Sequence, residues 1–189
     1  MNEQEAVSSL KRGDIRGLDT LVRAYQVQAV RTAYLVTGDR FLAEDVMQSA
    51  FLKAFEQIDH FDAHRPFGPW FLKIVLRDAI KEAKRKERNT SISPSINGQE
   101  GGADTLQAGN QSDPLYLLEH AEVADDVRTA LRQLPVEQRG AIVQRYFLGM
   151  SEEAMASRQQ RPKGTVKWRL HAARERLRHL LIDAKEHVS

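Results

Sequence analysis

Apolar residues recur at spacings of three and four through most of this 189-residue chain, whereas the alternating runs that indicate strands are almost absent. This spacing places apolar side chains on one face of a helix, and each face needs a neighbour to cover it. The chain is therefore predicted to be all-α. The clearest stripes are Leu18, Leu21, Val22, Tyr25 and Ala29; Ala43, Val46, Met47, Ala50 and Ala54; and a third that starts at Pro69 and includes Leu72, Val75, Leu76, Ala79 and Ala83.

A polar segment divides the chain. Residues Asn89–Pro114 are dominated by Ser, Gly, Asn and Gln, and they offer too little apolar surface to offset the entropy of ordering. Apolar periodicity returns after this segment and continues almost to the end. The sequence thus predicts two small helical bundles, residues 1–88 and 115–189, joined by a flexible linker, residues 89–114.

Charge and composition limit the classes of function. The 28 basic and 26 acidic residues nearly cancel, so attraction for nucleic acid must depend on where the charges lie. The absence of cysteine excludes disulfide frameworks and thiolate zinc sites. The first residues lack the order of a signal peptide, and no apolar run approaches the length of a membrane span. We expect a cytoplasmic protein without membrane insertion.

Basic residues form one face on a helix of each bundle. Between Arg158 and Arg178, eight arginines or lysines stand against the single Glu175. Such faces bind phosphates, because each neutralised phosphate releases condensed counterions. In the first bundle the basic face comprises Lys73, Arg77, Lys81, Lys84 and Arg88.

The final segment has the pattern of a helix-turn-helix. Ser151 is a good N-cap for a short helix, the sequence QQRPKG then breaks that helix, and a long helix follows from Thr165. In this arrangement the second helix enters the major groove through its N-terminal residues. The residues predicted to face DNA are Lys163, Thr165, Lys167, Trp168 and His171.

These segments, in this order and spacing, resemble those of the extracytoplasmic-function sigma factors, two-domain bacterial transcription initiation factors. Ala43–Asp62, AEDVMQSAFLKAFEQIDHFD, is similar to the family's polymerase-docking helix, and Arg65–Val75, RPFGPWFLKIV, resembles its promoter-melting segment. The sequences LRQLPVEQRGAIVQRYFLGMSEEAMA and GTVKWRLHAARERLR resemble the segment that binds the −35 element. The resemblance implies core RNA polymerase and promoter DNA as partners, allows an anti-sigma factor, and requires no cofactor.

The resemblance also implies positions for two further sites. The outward face of the docking helix mixes acid, amide and leucine, which suits a protein partner. The following loop carries aromatics that can stack on unpaired bases, beside cations that can hold phosphates. The alternative for these aromatics is that they close the end of the bundle as core residues. The polymerase-binding residues are then Asp45, Gln48, Leu52 and Glu56, and the residues for promoter melting and the −10 element are Phe61, Arg65, Phe67, Trp70, Lys73, Arg77 and Lys81.

Some positions depart from the family pattern. Arg77 and Lys81 stand where the family usually has Asn and Asp, so the usual −10 contacts do not carry over there. Arg158, Gln159, Gln160 and Arg161 replace apolar positions and a turn glycine, which predicts weaker packing of the first helix of the helix-turn-helix or a reshaped turn.

Two other functions compete with this interpretation. An enzyme has little support, because the sequence contains no phosphate-binding loop or nucleophile motif, and His60 and His64 lie in a predicted loop. A stand-alone helix-turn-helix regulator that binds duplex DNA as a dimer would explain the second bundle. It would leave the docking helix and the aromatic loop of the first bundle without a role.

Overall fold

The computed structural model describes the backbone of residues 1–92 and 114–186, and the side chains of residues 1–89 and 124–183. Every regular element in these ranges is helical, which confirms the all-α class. The helices are α1 (Glu3–Lys11), α2 (Arg16–Thr37), α3 (Arg40–Glu56), α4 (Phe67–Ile92), α5 (Pro114–Gln133), α6 (Val136–Ile142), α7 (Glu152–Gln159) and α8 (Lys163–Glu186), with a 3-10 turn at Ile58–His60 and a π-helical turn at Val143–Phe147.

Helices α1 to α4 enclose the larger core. Local signals start two of them: Asn2 and Glu5 form a capping box on α1, and the Asp39 carboxylate accepts a hydrogen bond from Leu42 N–H at 3.1 Å at the start of α3. The predicted stripes face this core, whose buried members include Leu21, Ala29, Ala43, Val46, Ala50, Ala54, Leu72, Val75, Leu76, Ala79 and Ala83.

Helices α7 and α8 form the predicted short helix, turn and long helix. The Ser151 hydroxyl accepts a hydrogen bond from Ala154 N–H at 3.1 Å, which is the expected N-cap of α7. Val166, Leu170 and Ala173 lie on the buried face of α8. The opposite face of α8 is left for solvent or a partner.

The two halves of the structure, α1 to α4 and α5 to α8, pack against each other. The sequence pattern does not predict this contact. Val136 and Val143 are buried within the core that α1 to α4 build. The buried Arg139 guanidinium donates to the Val36 carbonyl of α2 at 2.7 Å, and Lys84 of α4 forms an ion pair with Glu137 of α6. Contacts between elements so distant in sequence leave no local periodicity, so only the tertiary structure reveals them.

The boundaries of α4 differ from the prediction. The helix begins at Phe67, two residues before Pro69, and continues to Ile92. Phe67 and Trp70 therefore belong to the first turn of a helix rather than to a loop. Of the predicted flexible linker, residues 93–113 lie outside the described residues.

Candidate nucleic-acid and protein interfaces

Helix α3 presents an exposed strip that contains all four predicted polymerase-binding residues. Asp45, Gln48, Leu52 and Glu56 are exposed, and Leu52 is 63% accessible. Phe41 (75% accessible) and Phe55 (39%) share this outer face, and neither was predicted. Their positions relative to Leu52, eleven residues before and three after, could have identified them. Three large exposed apolar side chains on one helix face suit a protein-docking surface.

Two of the three aromatics for which base stacking is predicted are buried, which agrees with the alternative that they close the end of the bundle. Phe61 is 4% accessible and Phe67 1%, and their ring centroids lie 5.8 Å apart edge to face. Phe67 also stacks on Phe71 at 5.5 Å. Neighbouring apolar side chains cover both rings, so the rings close the end of the core. Neither ring has a free face on which a base could stack.

Trp70 is the aromatic that keeps a solvent-accessible part. Its ring lies 4.7 Å from that of Phe61 and 5.5 Å from that of Phe67, so one side of it packs on the core. Between Phe61 and α4, residues 62–66 are all exposed. Asp62 organises this loop: its carboxylate accepts from His64 N–H at 3.0 Å and pairs with Arg65 at 3.3 Å.

The predicted basic face of α4 is partly engaged within the protein. Arg77 and Lys81 are exposed, while Lys73 is half-buried. The Arg158 guanidinium of α7 donates to the Lys73 carbonyl at 2.6 Å, and burial, together with the charge of Arg77, lowers the pKa of Arg158.

A buried carboxylate that the sequence analysis missed anchors the same helix. Asp78 pairs with Lys53 of α3 at 2.8 Å and with Arg77 at 3.4 Å. In the sequence, Asp78 is a carboxylate directly between Arg77 and Ala79 of the apolar stripe, and this position could have identified it. The Lys53 pair ties α4 to α3, and Arg77 is oriented along the surface.

The predicted DNA-reading face of α8 is exposed at every position. Lys163, Thr165, Lys167 and His171 are accessible, and Trp168 is 68% accessible, so this tryptophan is not a core residue. Lys163 forms an ion pair with Glu153 of α7; hydrogen bonding between them raises the pKa of Lys163 and lowers that of Glu153. The start of α8 is thus fastened to α7.

The unusual turn between α7 and α8 keeps a regular geometry. Gln160 closes α7 in the left-handed conformation (φ 49°), with Arg161 N–H donating to the Ala156 carbonyl at 3.1 Å. Gln159 bridges the two helices: its amide donates to the Gln144 side chain at 3.1 Å and accepts from Arg169 at 2.9 Å. Polar contacts therefore hold α7 where apolar packing is expected.

Gln160 provides a stability prediction. A non-glycine residue in the left-handed region is strained, and glycine relieves this at some cost in unfolded-state entropy. We expect Gln160→Gly to raise the free energy of unfolding by about 0.5–1 kcal/mol in denaturant titrations. Gln160→Ala, which keeps the strain, is the matched control. Equal stabilities for the two variants would contradict this explanation.

Among the residues with described side chains, no group of three or more His, Cys, Asp or Glu is placed to hold a metal ion. Within the described part of the chain, no helix is both long enough and apolar enough to cross a membrane.

Comparison with known proteins finds one family match in each half of the chain. The Sigma-70 region 2 family matches residues 21–89, and the Sigma-70, region 4 family matches residues 124–177. The ECF RNA polymerase sigma factor SigW of Bacillus subtilis is 28% identical over 183 residues, which are 95% of this chain and 97% of that protein. The ECF RNA polymerase sigma-E factor of Escherichia coli strain K12 is 29% identical over 181 residues, 93% of this chain and 92% of that one.

A solved structure shares the fold. The sigma factor RpoE of Bartonella quintana, in complex with the anti-sigma factor NepR, has a TM-score of 0.64 and 23% identity, covering 86% of this chain and 95% of that one. The chain belongs to the extracytoplasmic-function sigma factors of the Sigma-70 family. It is an alternative sigma factor that directs promoter-specific transcription with RNA polymerase.

Proposed function

We propose that the two halves of the chain divide the work of initiation. Residues 1–88 bind core polymerase and the −10 region, residues 115–189 read the −35 element, and residues 89–114 connect them. The observation that carries this proposal is that one chain presents both an exposed apolar strip on α3 and an exposed basic face with Trp168 on α8. A regulator that only reads duplex DNA needs the second surface but not the first.

The α3 strip is the polymerase-binding surface in this proposal. Phe41, Leu52 and Phe55 supply apolar area, while Asp45, Gln48 and Glu56 supply polar and acidic groups around it. Asp45 and Gln48 lie between Phe41 and Leu52 along the helix, and such a combination of apolar and polar groups is common in protein interfaces.

Strand opening is assigned to the surface around Trp70. Phe61 and Phe67 support the Trp70 ring from below, which holds the indole rigid for stacking on an unpaired base. Arg65, Lys73, Arg77 and Lys81 lie in the adjoining loop or along the next turns of α4 and can neutralise phosphates of the opened strand.

The packed arrangement of the halves must open for this function. The −10 and −35 elements are about 25 base pairs apart, which is about 85 Å along B-DNA. Two touching bundles, each with a radius of gyration of about 12 Å, cannot reach both elements. The contacts of α6 with α2 and α4 therefore separate when the protein engages polymerase and promoter.

An anti-sigma factor is proposed as a further partner, because the similar Bartonella quintana chain is bound to one. No enzymatic activity is proposed: sigma factors are initiation factors, and the described surfaces serve binding.

The two tryptophans of the chain provide the test. Trp70→Leu keeps apolar cover over Phe61 and Phe67 but removes the stacking ring, so it should reduce permanganate-reactive thymines on a duplex promoter by about tenfold. A promoter with a pre-opened bubble should restore the signal, because the bubble supplies the unpairing energy. Trp168→Leu should instead weaken binding to a −35 duplex, and the bubble should not restore that binding.

Thermal unfolding and core-polymerase binding serve as controls for both variants. If Trp70→Leu opens a fully duplex promoter as well as the parent protein, Trp70 is a core cover and strand opening lies elsewhere.

A further inference from the structure

The start of α4 is capped by a residue of α1 that lies 64 positions earlier in the chain. Pro66 precedes the helix, and its side chain cannot accept a hydrogen bond as an ordinary N-cap does. Instead, the Glu3 carboxylate of α1 accepts a hydrogen bond from Phe67 N–H at 2.9 Å. A carboxylate at this position also favours the positive end of the helix dipole.

Tyr25 completes the cap. Its hydroxyl donates a hydrogen bond to the second carboxylate oxygen of Glu3. The same hydroxyl accepts a hydrogen bond from Gly68 N–H. A side chain at Gly68 would not fit, because a Cβ there would lie 2.6 Å from the Tyr25 ring. Burial and the Glu3 carboxylate raise the pKa of Tyr25 to about 12, so the phenol keeps its proton.

The C-terminal end of α1 contacts the segment that precedes the exposed loop 62–66. Lys11 donates to the carbonyl of Asp59 at 3.4 Å, in the 3-10 turn that precedes Phe61. Helix α1 itself is held close to α2, because Gly17 lets the Ala6 carbonyl approach to 2.3 Å from where a Cβ would be. Helix α1 therefore contacts both flanks of the exposed loop 62–66.

We propose that Glu3 is a positioning residue for promoter recognition: by capping α4 it fixes the loop 62–66 and Trp70 in the geometry that contacts the opened −10 strand. The inference rests on the proposed function. It concerns a helix outside residues 21–89, the segment that matches the region 2 family. Without the cap, the first turn of α4 frays and the loop loses its fixed end.

Amide hydrogen exchange in the free, full-length protein tests the capping. Glu3→Ala should speed exchange at Phe67 and Gly68 about tenfold, because a hydrogen bond to a carboxylate is lost. Glu3→Gln should stay close to the parent protein, since the amide oxygen can still accept from Phe67 N–H. Glu5→Ala is the matched control, because it removes the same charge from α1 and breaks its capping box.

Base preference at the −10 element tests the positioning. With core polymerase, single bases of the non-template strand are changed. For each variant, promoter opening with the original base divided by promoter opening with the changed base gives a preference ratio. Glu3→Ala should bring this ratio close to one, whereas Glu3→Gln and Glu5→Ala should keep the ratio of the parent. A general loss of stability would lower promoter occupancy on every sequence and leave the preference ratio unchanged.

The outcomes separate the claims. Exchange at Phe67 as slow in Glu3→Ala as in the parent protein would overturn the capping. Faster exchange with an unchanged base preference would overturn the positioning role and leave Glu3 as structural support. Failure of the parent protein to open any promoter would overturn the proposed function and the promoter half of this inference, while exchange still decides the capping.

Discussion

Leu52→Glu is expected to weaken binding to core RNA polymerase by about 30-fold, which corresponds to about 2 kcal/mol. Leu52 lies three residues before Phe55 on the exposed strip of α3, and it makes no contribution to the core. The substitution places a charge in the proposed docking surface, where polymerase binding would bury it without a partner. Affinity for fluorescently labelled core enzyme measures the effect.

Ile182→Glu is the matched control for this prediction. Ile182 is an exposed apolar residue on α8, beyond residues 124–177 that match the region 4 family, and it receives the same change of side chain. Both variants should unfold within about 0.5 kcal/mol of the parent, because exposed substitutions rarely affect stability. Equal polymerase affinity for Leu52→Glu and Ile182→Glu would show that the strip on α3 is not the docking surface.

Arg139→Met is expected to lower the free energy of unfolding by about 3 kcal/mol. The buried Arg139 guanidinium donates to the Val36 carbonyl at 2.7 Å and to the Leu134 carbonyl at 3.0 Å, near the C-terminal ends of α2 and α5. Methionine fills similar volume but leaves both carbonyls without these donors. Burial lowers the pKa of Arg139, and the Glu87 carboxylate, 3.6 Å away, opposes that shift.

The two tryptophans make this loss measurable in each half, because Trp70 lies in the first half and Trp168 in the second. Versions of the protein with a single tryptophan, made by Trp→Phe, report each half separately in denaturant titrations. We expect Arg139→Met to shift the Trp168 transition to lower denaturant. Arg132→Met is the control: Arg132 is exposed, its hydrogen bond to Thr129 is local, and its loss should cost about 0.5 kcal/mol or less.

The same variant should affect promoter use in the opposite direction. Since the proposed function requires the halves to separate on the promoter, a weaker contact reduces the free energy needed to open the protein. Arg139→Met should therefore bind core polymerase and promoter at least as well as the parent at temperatures where it remains folded. Lower affinity in the folded variant would contradict the requirement for opening.

The sequence by itself determined the helices and their exposed faces. Apolar spacing depends only on the 3.6-residue period of a helix, so the stripe of α3 was enough to place Leu52 on the outside. Likewise Ser151 and the QQRPKG break defined the helix-turn-helix, because N-caps and turns act over a few residues. These features are local, and the resemblance to a family then gave them a function.

Only the tertiary structure decided which side chains are covered and by what. Phe61, Phe67 and Trp70 are equally aromatic in sequence, yet packing buries the first two and leaves part of the third accessible. Glu3 reaches Phe67 across 64 positions of the chain, and Arg139 reaches Val36 across 103. Such contacts follow from how helices pack, and helix periodicity carries no information about partners so far away in the chain.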